Sequence, residues 1–205
     1  MNYYYDKRSN NTEVENKEKS TAKKPINEIY EWIDAIVISV IAIILIFTFA
    51  FRVVGIEGHS MEDTLFDNDR VIISNLFYTP KQNDVVVISR NYTNKTADKD
   101  DNDAPIIKRV IAVGGQKVTI DPTTGQVSVD DIPLEEDYIK PGQITTWEDG
   151  STEAKTVLVE KDHVFVMGDN RGNSLDSRFE VIGQVDVRYI LGHALCRIYP
   201  SIGGL

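Results

Sequence analysis

The chain has 205 residues and a formal net charge of −10 at pH 7, with 32 acidic against 22 basic side chains. This length fits one domain, or a core domain with a smaller insert. The acidic balance argues against binding to a nucleic-acid backbone, because that requires a basic surface. A single cysteine, Cys196, excludes an intrachain disulfide and a cysteine-based metal site, and its apolar neighbours predict a small buried residue.

The first 31 residues are polar and charged, apart from Tyr3-Tyr4-Tyr5. A segment of this composition buries too little apolar surface to offset the entropy lost on ordering. We therefore expect residues 1–31 to form a disordered tail.

Residues 35–51 form an uncharged apolar segment. As a helix it would be about 26 Å long, and Trp32 and Ile33 extend it toward the ~30 Å hydrocarbon core of a bilayer. A core helix of a globular domain would show a polar face, and a cleaved signal peptide would lie nearer the start of the chain. The segment therefore predicts a single transmembrane helix over residues 32–52.

The basic residues on either side of this segment predict its orientation. Two arginines, Arg52 and Arg70, follow it within twenty residues, whereas four lysines precede it, namely Lys17, Lys19, Lys23 and Lys24. Cytoplasmic flanks carry the excess of Lys and Arg. We expect a cytoplasmic N-terminus and an extracytoplasmic catalytic domain over residues 53–205, beside the membrane lipid.

After the apolar segment, most apolar runs are short, rich in Val and Ile, and bounded by turn residues. This pattern predicts strands over residues 70–74, 84–89, 106–113, 117–120, 126–129, 156–160 and 163–167. Hairpin turns are expected at Thr123-Thr124-Gly125 and at Asp130-Asp131. The predicted fold class is mainly β: a transmembrane helix, then an antiparallel, barrel-like domain with a small inserted lobe at about residues 121–160. Residues 91–103 read as a solvated acidic loop.

A candidate nucleophile, Ser60, follows the apolar segment closely, in the run Gly58-His59-Ser60-Met61. A chain extends by at most about 3.6 Å per residue, so Ser60 would lie within roughly 30 Å of that segment. A serine hydroxyl needs a base to remove its proton. His59 points to the opposite face of an extended chain, and His163 and His193 lie in apolar strands. A Ser-His-Asp triad is therefore the less favoured alternative.

Lys108 is the other candidate base, because it lies in an apolar run, residues 105–111, that predicts a buried strand. Strand alternation places it on one face with Ile106 and Val110. Burial disfavours the charged ammonium, and neutrality near pH 8 requires a pKa drop of about 2 units, roughly 3 kcal/mol. The alternative interpretation is an edge-strand lysine that prevents aggregation.

A third polar element, residues 167–178, directly follows the predicted strand 163–167. Its Gly, Asp, Asn and Arg residues are more numerous than a turn requires. Their side chains can hydrogen-bond one another and hold a loop rigidly beside a site. A salt-bridged surface turn is the alternative.

Together these three elements resemble the type I signal peptidases. The resemblance rests on Gly58-His59-Ser60-Met61 with Thr64-Leu65, on Lys108-Arg109 with Gly114-Gly115-Gln116-Lys117-Val118, and on Gly168-Asp169-Asn170-Arg171 with Ser174, Asp176 and Arg178. The motifs occur in the family's order along the chain, and the single span resembles the Gram-positive form. The resemblance implies a membrane-anchored β domain that removes signal peptides from exported preproteins with a Ser-Lys dyad and no metal or other cofactor.

The resemblance also implies a role for each matching residue. Ser60 would be the nucleophile, its N–H would donate to the oxyanion, and Lys108 would be the neutral general base. Ser174 would orient the Lys108 amine, while the loop would be braced by Asp169, Asp176 and Arg178. The preprotein would bind as an extended strand, and the pocket that selects alanine would be formed by Ile56, Met61, Leu65 and Ile107.

Two other functions fit parts of the sequence. A LexA-like self-cleaving Ser-Lys protease would be soluble, so the apolar segment and the acidic balance argue against it. A non-catalytic membrane-anchored β domain that binds exported proteins would not need Ser60 or Lys108. The expected partners are secretory preproteins and membrane lipid, and not nucleic acid.

Overall fold

The computed structural model describes residues 9–89 and 105–204. The chain forms two compact units, divided between Phe49 and Ala50. The predicted acidic loop, residues 91–103, lies outside the described residues, as does the start of the predicted tail.

All but the last residue of the helix α1, Ser9–Ala50, lies in the first unit, and its side chains are described from residue 28. Within the described part of the chain, Glu28–Ala50 is the one helical stretch long and apolar enough to cross a membrane. Its large apolar side chains, Ile36 and Phe49 among them, are exposed. A helix that is apolar on all sides needs an apolar environment, and lipid can supply it.

Both ends of α1 differ from the sequence-based expectation. Residues 9–31 are helical where a disordered tail was predicted, because Glu and Lys are frequent there and have good helix propensity. The helix ends at Ala50, since Phe51 and Arg52 already belong to the first strand.

The second unit is mainly β, as predicted. Its strands are β1 Phe51–Gly55, β2 Arg70–Ser74, β3 Val85–Ile88, β4 Ile106–Val113, β5 Lys117–Asp121, β6 Gln126–Val129, β7 Ile132–Pro133, β8 Lys155–Leu158, β9 His163–Met167, β10 Val185–Asp186 and β11 Ile190–Tyr199. Seven strands form one sheet in the order β1-β2-β11-β3-β4-β9-β10, and four form a second in the order β7-β6-β5-β8. The neighbouring strands pair in the antiparallel direction.

Strand β4 lies inside the larger sheet, between β3 and β9. Lys108 of β4 is in register with Val86 of β3, and Arg109 with both Val85 and Met167. Every residue of β3 is buried, as are four of the five in β9. Lys108 is therefore not on an edge strand, and the aggregation-guard interpretation of this lysine is wrong.

The smaller sheet occupies the region of the predicted lobe, although its first strand begins at Lys117. It does not have a core of its own. Val118 and Ile120 of β5 pack in one buried cluster with Phe165 and Met167 of β9. The second sheet is thereby packed onto the first, next to the strands that carry the polar motifs.

Gly168 directly follows β9 and is closely surrounded by other groups. A Cβ atom at this position would lie 2.3 Å from Oγ of Ser174 and 2.4 Å from the backbone oxygen of Ser60. Non-bonded heavy atoms do not approach so closely, and a side chain would push these groups apart. The absent side chain lets residues 168–178, the polar loop, pack directly against the backbone of Ser60.

We expect Gly168→Ala to lower the free energy of unfolding by about 1–3 kcal/mol, as overpacking of a close-packed site usually does. Gly172→Ala in the same loop is the matched control, because a Cβ there would meet open space. Its effect should stay within about 0.5 kcal/mol. Denaturant unfolding of the detergent-solubilised protein measures both, and equal stability of the two variants would contradict the packing argument.

Candidate active site

Ser60 and Lys108 are in direct contact. Ser60 lies in the turn that follows β1, and Lys108 lies in the middle of the larger sheet. Nζ of Lys108 donates a hydrogen bond to Oγ of Ser60 over 2.7 Å, and a second to the backbone oxygen of Ile107 over 3.0 Å. The lysine is 4% exposed, whereas Ser60 is half-buried. A buried amine thus faces a hydroxyl that is partly open to solvent.

Burial lowers the pKa of Lys108 from 10.5 to about 8, because the charged ammonium loses its hydration. Asp176 and then Asp169 oppose this shift by attracting the positive charge, while Arg178 adds to it. The neutral amine is therefore well populated in mildly alkaline solution. A neutral amine can accept the proton of the serine hydroxyl, which an ammonium cannot do.

The histidines have other partners. Nδ1 of His59 lies 2.7 Å from a carboxylate oxygen of Glu62. Nδ1 of His163 faces the backbone oxygen of Lys161, and Nδ1 of His193 that of Ser74. These contacts leave the Ser-His-Asp alternative without a base at Ser60 in the described structure.

Ser174 does not make the hydrogen bond expected of it. Its Oγ is buried and has no hydrogen-bond partner among the described residues. Nζ of Lys108 donates to Ser60 and to the backbone of Ile107, and not to Ser174. Ser174 nevertheless lies beside the site, because its Oγ and the Ser60 carbonyl both border Gly168.

A buried ion pair joins β4 to the polar loop. Arg109 donates from Nε and Nη2 to the two carboxylate oxygens of Asp169, at 2.9 and 2.7 Å. Thr64, four residues after Ser60, donates to the same carboxylate over 2.5 Å. Bidentate pairing satisfies both charges where water is excluded. Asp169 therefore fixes the polar loop to β4 and to the nucleophile turn at once.

A second ion pair closes the polar loop on itself. Arg178 donates from Nε to Asp176 over 2.8 Å and from Nη2 over 2.9 Å. The same carboxylate accepts the Gly168 N–H at 3.0 Å. Arg178 also donates to the backbone oxygen of Arg171 over 2.8 Å. The predicted bracing residues thus hold the two ends of the loop together.

The four residues predicted to line a small pocket lie together. Each is at least 95% buried, and all belong to one apolar cluster: Ile56, Met61, Leu65 and Ile107. Val54 and Leu191 pack against this cluster and are partly exposed. These four side chains therefore form one buried apolar cluster, whose members Met61 and Ile107 directly adjoin Ser60 and Lys108 in the sequence.

One group of site residues was missed at the sequence level. Residues 134–147, which we call the clamp segment, form the first part of the connection from β7 to β8 and contact the polar loop. The buried guanidinium of Arg171 pairs with Glu136 and donates to Oγ1 of Thr145 over 2.6 Å. Gln143 accepts the Arg171 N–H at 2.8 Å. The ring of Tyr138 lies 4.1 Å from the Arg109 guanidinium.

The missed residues gave little signal in the sequence. The clamp segment has no apolar periodicity, and Glu, Gln and Thr are common in solvated loops. A buried role for Arg171 could have been suspected from the density of charged residues in the polar loop. The residues that pair with Arg171 could not be predicted from the sequence.

The chain is similar to known proteins along most of its length. A family model described as signal peptidase, peptidase S26, matches residues 29–199. Signal peptidase I of Leptolyngbya laminosa is 34% identical over 180 residues, which cover 86% of this chain and 83% of the relative. Signal peptidase I of Bacillus licheniformis is 31% identical over 89% of this chain and 94% of its own. A probable signal peptidase I-2 of Synechocystis sp. is 35% identical over 91% of this chain and 83% of its own.

The motifs that the structure gathers around Ser60 and Lys108 all fall inside the matched region. Because the match covers most of the chain, this protein belongs to the signal peptidase family, peptidase S26.

Proposed function

We propose that this protein is a membrane-anchored serine endopeptidase that cleaves signal peptides from exported preproteins with Ser60 as nucleophile and Lys108 as general base. The observation that carries the proposal is the 2.7 Å hydrogen bond between Nζ of Lys108 and Oγ of Ser60. The lowered pKa of the buried lysine supports it, because a lysine acts as a base only in its neutral, deprotonated form.

The proposed reaction follows from these two groups. Oγ of Ser60 attacks the scissile carbonyl carbon while its proton passes to Nζ of Lys108. Collapse of the tetrahedral intermediate breaks the C–N bond, and the Lys108 ammonium returns the proton to the departing amine. Water, deprotonated in turn by Lys108, then hydrolyses the ester and releases the signal peptide. The ammonium that forms in each step is favoured by the nearby carboxylates of Asp176 and Asp169.

The substrate is proposed to lie extended along the strands next to the site. β1 is at the edge of the larger sheet and leads directly into the Ser60 turn. The apolar cluster around Met61 and Leu65 would receive the small residue before the cleaved bond. A tight, dry cluster of this kind favours alanine over larger side chains, because enlarging it would disturb close packing.

The proposed location is the cell membrane, with a cytoplasmic N-terminus and the catalytic unit outside. The stretch Glu28–Ala50 supplies the anchor. The lysines that precede it support this orientation, since positive residues stay on the cytoplasmic side. The preprotein would meet the enzyme as its signal peptide enters the same bilayer.

Lys108→Met tests the dyad. We expect cleavage of a secretory preprotein in detergent to fall to background, as it should for Ser60→Ala, because the two residues act as one unit. We also expect Lys108→Met to be no less stable than wild type at pH 6, where the buried ammonium is unfavourable. Lys117→Met is the matched control. Because Lys117 is exposed, this substitution should leave cleavage unchanged. Retained cleavage in Lys108→Met would overturn the proposal.

The pH dependence tests the state of the base. Because the pKa of Lys108 is lowered to about 8, the neutral form predominates only above that pH. We expect kcat/KM to rise about tenfold per pH unit up to pH 8 and then to level off. A rate that does not change between about pH 6 and pH 10, with chemistry shown to limit turnover, would contradict this.

Protease treatment of intact spheroplasts tests the orientation. If the catalytic unit faces outward, an added protease should degrade an epitope fused after Leu205 while sparing one fused before Met1. Permeabilised cells, in which both epitopes should be lost, are the control. The reverse pattern would show the opposite topology.

A further inference from the structure

Asn170 donates hydrogen bonds to two successive backbone carbonyl groups, those of His59 and Ser60. Its side-chain Nδ2 donates to the backbone oxygen of His59 over 3.0 Å. Its own N–H donates to the backbone oxygen of Ser60, also over 3.0 Å. A single residue of the polar loop therefore holds the carbonyls of two consecutive residues at the nucleophile.

The amide of Asn170 is itself held by the clamp segment. Nε2 of Gln143 donates to Oδ1 of Asn170 over 2.9 Å, and Oε1 of Gln143 accepts the Arg171 N–H at 2.8 Å. This series of hydrogen bonds begins at the His59 oxygen and ends at the Arg171 N–H. These two backbone groups determine the orientations of the Asn170 and Gln143 amides. The His59 carbonyl can only accept and the Arg171 N–H can only donate, so neither amide can be reversed without losing bonds.

The contact with His59 has a consequence for Ser60. The peptide bond between His59 and Ser60 is trans, so its C=O and N–H are coplanar and point in opposite directions. A hydrogen bond that fixes the His59 oxygen therefore fixes the direction of the Ser60 N–H. The Asn170 side chain reaches the His59 oxygen from the side of the peptide opposite the Ser60 N–H. It therefore does not occupy this N–H, which can donate to a substrate carbonyl.

We propose that Asn170 is a positioning residue that orients the His59–Ser60 peptide so that the Ser60 N–H donates to the oxyanion, with Gln143 fixing its amide. The inference rests on the proposed function, because it concerns the transition state of that reaction. A donated hydrogen bond at the His59 oxygen also polarises the peptide and makes its N–H a stronger donor.

Asn170→Ala tests this role in the full-length protein, with kcat and KM for a preprotein measured at pH 9. We expect kcat to fall by about 10- to 100-fold, somewhat less than the loss of an entire oxyanion donor. KM should stay within about twofold, because the interaction matters in the transition state and not in substrate binding. The pH midpoint near 8 should not move, since Lys108 is untouched.

Asn173→Ala is the matched control, because Asn173 is exposed in the same loop and should keep wild-type kcat. Gln143→Ala should lower kcat less than Asn170→Ala does, and the double variant should be no slower than Asn170→Ala alone, since Gln143 acts through Asn170.

Two results would overturn the inference. One is a wild-type kcat in Asn170→Ala. The other is a loss of kcat that follows a loss of stability or a shifted pH midpoint. If Asn170→Ala does not fold, the kcat of Gln143→Ala becomes the test. An unchanged kcat in that variant counts against the inference. Failure of the wild-type protein to cleave any preprotein would instead overturn the proposed function, on which this inference depends.

Discussion

The removal of one lysine from water is the constraint on which the rest of the site depends. Lys108 lies in β4, between two strands that are almost wholly buried. An ammonium in such surroundings loses hydration that its neighbours replace only in part, and its pKa falls. The central position of β4 in the sheet therefore creates the base, which no exposed lysine of the chain could provide.

The buried carboxylates near Lys108 would cancel this effect if they were unpaired. Asp176 and Asp169 both favour the charged lysine. Each of them, however, is engaged by an arginine, Asp176 by Arg178 and Asp169 by Arg109. Pairing reduces the negative potential at the lysine and also rigidifies the polar loop, because breaking a buried ion pair leaves an uncompensated charge. The same four side chains thus shape the loop and limit the charge that reaches the base.

Much of the fold could be predicted from local patterns. The alternating Val and Ile runs predicted most strands of both sheets, and Asp130-Asp131 marked a hairpin turn that requires positive φ angles. The start of β1 could not be predicted, because Phe51 continues the apolar run of α1 and nothing marks the end of the helix. The helix over residues 9–31 was missed because a charged composition that suggests disorder also has good helix propensity.

The site could be predicted less completely. The apolar setting of Lys108 pointed to a base, although its contact with Ser60, 48 residues earlier, depends on the sheet order. Ser174 matched a motif, and yet geometry leaves its hydroxyl without a partner among the described residues. Glu136 and Gln143 are ordinary loop residues by type. Their partners lie 35 and 27 positions away, so only the packing of the second sheet reveals them.

The clamp segment limits how far the polypeptide of this enzyme can be shortened. The outer strands of the second sheet, β7 and β8, look dispensable in a shortened version, since the reacting groups lie on the other sheet. Residues 134–147, however, supply the carboxylate and hydroxyl partners of the fully buried Arg171 guanidinium. Deleting them would leave the buried positive charge of Arg171 without its partners, which is energetically unfavourable. A compact derivative must keep this stretch, or replace Arg171 together with it.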